Sequence, residues 1–433
     1  MPFRTIAGVG LEYALISFDE DGRERTDDPD GGVFSKRILE KVRAEKPTNI
    51  FLFSHGWKGD VNGAIEQYDR WMGAMWKLEA DKARMGAGFK PLFIGLHWPS
   101  LPWGDEGFGE PKQSGGASFD PTAAVPAGPV TAPDVEPMFE EAVKRFGDTT
   151  EVRAALRTIF DAYAANPNSF SVPAAVKKAY EDLGKAIGFE ADEETQGLDP
   201  QKAVSAGRIV EAGASFGIFD KLKSGILGGL RQASFWMMKK RGRTIGEGGM
   251  NRFLSDVMRV TDGRVHLMGH SFGCVVTSSI LGGPGGNGGL PRPVSSVVLV
   301  QGAMSLWGWG ASIKDSGKPG YWHRILNNGS IGGPVITTRS VNDLAVGLLY
   351  PAAVGLVGQA DFVPGKTLPL YGGTGSFGIQ GTGQEQDGVM LPATASYGFQ
   401  KGKIYNLESS TFIAGHNEIN GAEVAHMIWE GAL

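Results

Sequence analysis

The sequence predicts an α/β protein in which a mainly parallel sheet has helices on both faces and is interrupted by a long helical insertion. Two apolar runs, Asn49–Ser54 and Pro91–His97, lack polar alternation, which is typical of parallel strands buried on both faces. Segments with helical spacing alternate with these runs, as in parallel sheets covered by helices. The alternation stops at residue 101 and returns after residue 243, which predicts an insertion between two parts of one core.

The first part of the core, residues 1–100, alternates strand and helix. Apolar positions at helical spacing, such as Ile38, Leu39 and Val42, distinguish a helix from the continuous apolar runs of the strands. The predicted elements are a strand at Glu12–Phe18, a helix at Phe34–Glu45, a strand at Asn49–Ser54, a helix at Asn62–Met85 and a strand at Pro91–His97.

Residues 101–243 form the predicted insertion, which begins with a stretch rich in proline and glycine. Three helical segments follow, at Met138–Ala165, Val172–Ile187 and Lys202–Lys240. Long insertions often carry function, so we expect a mostly helical cap or lid over a pocket; a structural subdomain is the alternative. The run Phe235–Met238 could face a bound acyl group, but four consecutive apolar residues on a helix point several ways, which favours core packing.

The second part of the core, residues 244–433, resumes the α/β alternation. Its predicted elements are a helix at Met250–Thr261, a strand at Val265–Met268, a helix at Phe272–Leu281, strands at Val294–Gln301, Val335–Thr338 and Lys403–Leu407, and a helix at Ala422–Glu430. The glycine-rich block Gly372–Gly388 has no periodicity and predicts a surface loop.

Composition narrows the class of protein. Hydrophobic residues make up 41% and charged residues 21% of the 433, which is enough apolar material for a large core and argues against disorder. The net charge of −5 argues against a nucleic-acid partner, which needs a basic face. The single cysteine, Cys274, allows no internal disulfide. No apolar run approaches the roughly 20 residues of a transmembrane helix and no leader pattern is present, so we expect a soluble, cytoplasmic protein.

Metal and cofactor motifs are absent from the sequence. There is no HExxH or CxxC spacing, and the histidines are scattered. The glycine-rich run Gly282–Gly289 does not open a helix after a strand, as phosphate-binding loops do. We therefore expect neither a metal nor a cofactor.

The sharpest chemical signal is the pentapeptide Gly269-His270-Ser271-Phe272-Gly273, which lies between the predicted strand VHLM and the apolar helix CVVTSSIL. In this context Gly-x-Ser-x-Gly predicts a nucleophile elbow, a strained turn that exposes the serine hydroxyl at the carboxyl edge of the sheet. Side chains at the two glycines would collide with the neighbouring strand and helix. The N–H of Phe272 would face the reacting carbonyl from the helix N-terminus, where the dipole favours negative charge.

This motif in its context resembles the α/β-hydrolase superfamily, and within it the serine esterases and lipases. The resemblance covers about residues 45–100 and 245–433 and leaves the insertion outside. It implies an α/β-hydrolase fold with a large inserted helical cap. It also implies a catalytic triad in the chain order serine, aspartate or glutamate, histidine.

A second element of the resemblance is Ser54-His55-Gly56-Trp57, at the end of a buried strand. In this superfamily a His-Gly-x turn supplies the second oxyanion donor, which would here be the N–H of Trp57. One glycine followed by tryptophan is similar to the HGx variety, often seen with medium or long acyl groups, rather than to the HGGG type. His55 would hold this loop or contact substrate.

Two tryptophans after the next strand are further candidates for contact with substrate. Trp98 begins the turn Trp98-Pro99-Ser100, and Trp103 follows this turn. Core packing is the alternative for Trp98, because tryptophan is large and often buried.

Asp343 is the candidate acid. It follows the strand Val335–Thr338 by a few residues and precedes an apolar residue, which resembles the acid loop of the superfamily. Its rivals are Asp315 and Asp361, which follow no strand end at this distance, and Glu408, which precedes the candidate histidine too closely.

His416 is the candidate base, because only His416 and His426 follow Asp343 in the chain. His416 lies in a polar loop between the last strand and the last helix, whereas His426 falls inside that helix. Only a loop histidine could reach over the sheet edge to Ser271. Histidine suits the role, since it takes and returns a proton near neutral pH.

Together these residues predict a serine hydrolase that cleaves carboxylic esters, with a small-molecule ester or lipid-like substrate. An amidase, a thioesterase or an acyltransferase would use the same triad, and a binding protein that kept the fold without catalysis is a further alternative.

Overall fold

The computed structural model describes residues 3–26, 33–56, 61–100, 135–166, 172–187, 226–313, 316–343, 346, 368–369 and 372–433. A nine-stranded sheet runs through them. Its strands are β1 (Phe3–Thr5), β2 (Glu12–Ser17), β3 (Asn49–Ser54), β4 (Pro91–His97), β5 (Arg264–His270), β6 (Ser296–Val300), β7 (Val335–Arg339), β8 (Glu385–Val389) and β9 (Ile404–Glu408). They lie in the order β1-β2-β4-β3-β5-β6-β7-β9-β8, in which β1 is antiparallel to β2 and the other described pairs are parallel.

Helices cover both faces of this sheet. The helices within the described residues are α1 (Phe34–Glu45), α2 (Val61–Trp76), α3 (Glu79–Arg84), α4 (Val135–Phe146), α5 (Thr150–Ala165), α6 (Ala174–Ala186), α7 (Gly228–Ile245), α8 (Asn251–Val260), α9 (Gly273–Gly282), α10 (Thr374–Phe377) and α11 (Ala422–Ala432). Alternate residues of β3 point to opposite cores: Ile50 and Leu52 pack with α1, α8 and α9, and Phe51 and Phe53 pack with α2 and α11. The predicted α/β class and mostly parallel sheet are confirmed.

The inserted helices form a third core of their own. Apolar side chains of α4, α5 and α6 pack together with Ile226 and Leu230. The single helix predicted at Met138–Ala165 is wrong, because the chain turns at Gly147, which has a φ of 101°. A new helix then starts at Thr149, whose hydroxyl accepts a hydrogen bond from the N–H of Val152 at 3.2 Å. That these helices act as a cap stays a prediction.

The helix that leaves the insertion runs on without a break. A π-helical turn, Gly246–Met250, joins α7 to α8, so the predicted gap between residues 240 and 250 is wrong, and the predicted domain boundary at 243 lies inside one helical run. A Cβ on Gly246 would lie 2.6 Å from Cβ of Ser279, which shows how closely this turn packs on α9. The segment before residue 226 of the predicted helix Lys202–Lys240 lies outside the described residues.

Two methionines of the run Phe235–Met238 pack in cores. Met238 is buried in the core between the sheet and α9, and Met237 packs against both that core and the inserted one. Core packing, one of the two alternatives for this run, therefore holds for both methionines. The side chains of Phe235 and Trp236 lie outside the described residues.

Two further predictions are wrong. The helix expected at Asn62–Met85 is two helices, α2 and α3, separated by Lys77 and Leu78. The block Gly372–Gly388, expected as a surface loop, contains α10 and the edge strand β8, and α10 is largely buried. A four-residue helix and a five-residue edge strand are too short to produce a periodic pattern, and some glycines of this block, such as Gly375, pack closely against backbone atoms.

None of the helices within the described residues has the length and apolarity that crossing a bilayer would require.

Candidate active site

Ser271 occupies a sharp turn between β5 and α9, in the middle of the sheet. Its φ of 54° lies in the left-handed region, which only three described non-glycine residues adopt. The turn is tied to β6, because the N–H of Ser271 donates to the carbonyl of Val300 at 3.1 Å. The carbonyl of Ser271 in turn accepts hydrogen bonds from the N–H groups of Cys274 and Ala303. This is the strained strand-to-helix turn that the sequence predicts.

The glycines beside Ser271 permit this turn. A Cβ on Gly269 would lie 2.5 Å from the carbonyl oxygen of Gly273, and a Cβ on Gly273 would lie 2.2 Å from the carbonyl oxygen of Ser54 on β3. Cβ atoms in proteins essentially never come this close to another atom, and in both cases the obstructing atom belongs to the backbone. The predicted collisions with the neighbouring strand and helix are confirmed.

Ser271, His416 and Asp343 form a continuous chain of hydrogen bonds. His416 Nε2 lies 2.8 Å from Ser271 Oγ, and His416 Nδ1 lies 2.8 Å from Asp343 Oδ2. All three side chains are buried, with His416 the most accessible at 9%. Because a carboxylate only accepts, the proton of His416 lies on Nδ1, and Nε2 accepts from the serine hydroxyl. Three residues separated by 145 positions of chain thus meet at the carboxyl edge of the sheet.

Asp343 is held by backbone and side-chain donors from the loops after three strands. Its Oδ1 accepts from the N–H of Val346 at 2.9 Å. With its amide nitrogen turned toward these acceptors, Gln301 donates to Asp343 Oδ2 at 3.2 Å and to the carbonyl of Gly375 at 2.9 Å. A Cβ on Gly375 would lie 3.1 Å from Asp343 Oδ2, so α10 presents bare backbone to the carboxylate.

Sequence reasoning missed Gln301 and Gly375. Gln301 follows β6, is fully buried and has a φ of 49°. The sequence signal for Gln301 was its place as a polar residue at the end of an apolar strand. Polar residues at the ends of neighbouring parallel strands reach the same sheet edge as the nucleophile. Gly375 had no signal, since a glycine-rich block without periodicity does not indicate what its backbone contacts.

The His55–Gly56 turn lies directly against the nucleophile. A Cβ on Gly56 would lie 2.6 Å from Cβ of Ser271, so only glycine fits there. His55 is fully buried and serves the turn: its ring stacks on Trp98 at 5.6 Å, its carbonyl accepts from Trp98 Nε1, and its N–H donates to the hydroxyl of Tyr68. Both side chains have 0% exposure. Contact of His55 and Trp98 with substrate stays a prediction.

Of the two predicted oxyanion donors, Phe272 lies within the described residues. Phe272 directly follows the serine and precedes the first turn of α9, so its amide belongs to the positive end of a buried helix. Trp57 directly follows Gly56 and lies outside the described residues, as does Trp103.

Glu408, the rival acid within the described residues, stands apart from this chain of hydrogen bonds. Glu408 accepts from the N–H of Ser410 at 2.9 Å and does not bond His416. Asp315 and Asp361 lie outside the described residues. Cys274, one residue past the elbow glycine, is fully buried, and burial raises the pKa of its thiol well above the ordinary value.

His426 lies in a separate buried cluster between α3 and α11. Its Nδ1 lies 2.9 Å from Asp81 Oδ2 and its Nε2 lies 2.6 Å from the carbonyl of Ala395, so both ring nitrogens face acceptors. Glu430 lies close enough to join Asp81 and His426 around a metal ion, but it is already paired with Arg84. The two hydrogen bonds of His426 and the ion pair of Glu430 with Arg84 therefore form a structural network.

Two buried residues behind the triad were also missed. Nε2 of His270 lies 2.8 Å from the carbonyl oxygen of His416, and Nδ1 of His270 lies 3.0 Å from Nε2 of Gln67 on α2. The signal for His270 was its place inside the pentapeptide, next to the nucleophile.

No family model, curated protein or solved structure matches this chain.

Proposed function

We propose that the protein is a serine hydrolase of the α/β-hydrolase fold that cleaves carboxylic esters through an acyl-enzyme. The observation that carries this proposal is the chain Ser271 Oγ–His416 Nε2 and His416 Nδ1–Asp343 Oδ2, with both distances at 2.8 Å. A nucleophile bonded to a base, which is in turn oriented by a buried carboxylate, is the arrangement that activates a serine. The strained, glycine-flanked turn at Ser271 supports the same function, because it directs the hydroxyl from the end of a buried strand toward His416.

In the first half of the reaction Ser271 Oγ attacks the ester carbonyl carbon while His416 Nε2 takes the hydroxyl proton. The tetrahedral intermediate collapses, the carbon–oxygen bond to the alcohol breaks, and His416 passes its proton to the leaving alcohol. In the second half a water molecule attacks the acyl-serine, with His416 again as base, and the acid leaves as the proton returns to Ser271 Oγ. Asp343 keeps the imidazole in the tautomer with the proton on Nδ1 and stabilises its charged form.

The negative charge that develops on the carbonyl oxygen needs donors, and the N–H groups of Phe272 and Trp57 are assigned this role. Gly56 supports the assignment of Trp57, because a Cβ on Gly56, the residue before Trp57, would lie only 2.6 Å from Cβ of Ser271. Loss of one oxyanion donor typically slows such reactions about 100- to 1000-fold. The inserted helices are assigned the role of a cap that sets the acyl group accepted.

The test is hydrolysis of p-nitrophenyl esters from acetyl to palmitoyl by the wild-type protein and by Ser271→Ala. We expect Ser271→Ala to lower kcat by about 1000-fold or more, since the nucleophile is lost. Asp343→Asn should lower kcat by about 10,000-fold, because the wrong imidazole tautomer is then favoured. The matched control is Ser278→Ala, a buried serine on α9 that bonds Trp309 and takes no part in the chain.

Retained activity in Ser271→Ala would contradict the proposal. Activity on amides or thioesters alone, lost in the same variant, would keep the triad and replace the substrate class. A serine that reacts with no ester, amide or thioester and with no fluorophosphonate probe would instead leave a binding protein.

A further inference from the structure

One buried histidine outside the hydrogen-bonded chain of Ser271, His416 and Asp343 bears on the proposed site. His270 is 1% exposed and lies on β5 directly before Ser271. Its side chain points to the face covered by α2, where it contacts Gln67 and the edge of the Trp71 ring, at 6.4 Å between centroids. Its other ring nitrogen reaches the backbone of His416. One buried imidazole therefore bridges a helix and the loop that carries the base.

The partners of His270 determine where its proton lies. A backbone carbonyl only accepts, so the bond between His270 Nε2 and the carbonyl of His416 at 2.8 Å requires a proton on Nε2. Gln67 Nε2 is an amide nitrogen and donates, so Nδ1 of His270 accepts at 3.0 Å. Both bonds are thereby satisfied by a neutral ring of one defined tautomer.

The bond to His416 acts on the orientation of the base. His416 belongs to the loop between β9 and α11 and reaches Ser271 across the edge of the sheet. Its carbonyl lies one bond from the Cα that carries the imidazole, so holding the carbonyl restricts where the imidazole can point. The two imidazole centroids are 5.0 Å apart. Because His270 and Ser271 are adjacent, the same strand end fixes the nucleophile and the backbone of its base.

We propose that His270 is a positioning residue that, held by Gln67, keeps the loop of His416 at the distance from which the imidazole serves Ser271. This inference rests on the proposed function. Its central variant is His270→Leu, which removes the donor and keeps a buried apolar side chain. A displacement of a catalytic group by about 1 Å costs up to roughly 100-fold in rate, so we expect kcat to fall about 10- to 100-fold while KM changes less than about twofold.

His270→Gln supplies the rescue, because its amide N–H can again donate to the carbonyl of His416. We expect it to recover most of the lost kcat. The matched control is His266→Leu, a buried histidine on the same strand and the same face, which bonds Asn49 and Ser296 and not the base. It should lower the melting temperature and leave kcat unchanged. Gln67→Met, which leaves His270 in place without its donor, should reduce kcat about threefold to tenfold.

A spectroscopic readout separates this inference from the proposed function. The proton on Nδ1 of His416 is bonded to Asp343 and should give a downfield proton resonance in the wild-type protein, identified by its loss in Asp343→Ala. We expect the resonance to broaden or shift upfield in His270→Leu and to persist in His270→Gln and His266→Leu. This measurement needs no substrate, so it tests the positioning role even if no ester is cleaved.

Wild-type kcat together with an unchanged resonance in His270→Leu would overturn the inference and leave the triad intact. Equal impairment in His270→Gln and His270→Leu would overturn the role of the hydrogen-bond donor. If His270→Leu does not fold, Gln67→Met decides: an unchanged kcat and resonance would then overturn the positioning role.

Discussion

The buried amide of Gln301 donates to the same carboxylate oxygen of Asp343 that accepts from His416, at 3.2 Å and 2.8 Å respectively. The amide of Gln301 is a neutral donor, so it stabilises the carboxylate of Asp343 without adding a second positive charge beside the imidazole of His416. Glutamate has the same shape as Gln301 but accepts hydrogen bonds instead of donating them, so this substitution tests the contact.

Gln301→Glu should lower kcat about 10- to 100-fold at neutral pH, because a second carboxylate then faces Asp343 and the side chain at position 301 no longer donates when it is ionised. The pH profile of kcat should also change shape, since two coupled carboxyl groups now titrate beside the base. Gln301→Met, which removes the donor without adding charge, serves as the control and should lower kcat less. A pH profile identical to that of the wild type in Gln301→Glu would contradict the contact.

Gly273→Ala should destabilise the fold strongly. Its Cβ would meet the carbonyl oxygen of Ser54 at 2.2 Å, and backbone atoms of a central strand cannot move aside. We expect a loss of at least about 3 kcal/mol in the free energy of unfolding, measured by urea denaturation. Gly88→Ala is the control, because no atom lies within 4 Å of its virtual Cβ, and it should change stability by less than about 0.5 kcal/mol. Equal stability of the two variants would refute the packing at the elbow.

His426→Gln should affect stability and not activity. The residue bonds Asp81 and the carbonyl of Ala395 in a buried cluster that joins α3 to α11. Leaving a buried acceptor without its donor costs about 1–3 kcal/mol, which urea denaturation would detect. His416→Gln should do the opposite, with little loss of stability and a near-complete loss of ester hydrolysis. An inactive but stable His426→Gln protein would reverse the assignment of the base.

His266 should make the fold sensitive to moderate acid. Burial and, to a smaller extent, the positive charge of the neighbouring Arg264 lower the pKa of His266 to about 3. Below pH 6.5 the unfolded chain binds a proton that the folded chain does not, so stability falls as pH falls from about 6.5 toward 3, by up to about 1.4 kcal/mol per pH unit. His266→Gln should flatten the dependence of unfolding free energy on pH in this window. Parallel curves for the two proteins would exclude this contribution.

Cys274 should be unreactive in the native state. It is fully buried, and burial raises the pKa of its thiol well above the ordinary value, so the reactive thiolate is suppressed. A thiol reagent at pH 8 should label the folded protein at least about 100-fold more slowly than the protein in urea, because labelling requires opening of the core. As the chain has one cysteine, mass spectrometry reads the modification directly. Rapid labelling without denaturant would show that α9 opens locally.

The glycine-rich block and the insertion show where sequence patterns stop being informative. Continuous apolar runs located β3 and β4, because a strand buried on both faces leaves that mark whatever surrounds it. Short elements such as α10 and β8 leave none. The break at Gly147 and the π-helical turn at Gly246–Met250 depend on local backbone geometry that hydrophobic spacing does not encode.

By itself the sequence determined the order of the main elements, the elbow at Ser271 and the three residues of its hydrogen-bonded chain. The resemblance to the α/β-hydrolase superfamily pointed to these residues by their chain order, and they meet because each follows a strand and parallel strands bring their carboxyl ends to one edge. Only the tertiary structure decided what surrounds them: Gln301 and Gly375 against Asp343, and Gln67 and His270 behind His416. These contacts join residues far apart in the chain through single hydrogen bonds, and a single hydrogen bond leaves no periodic trace in a sequence.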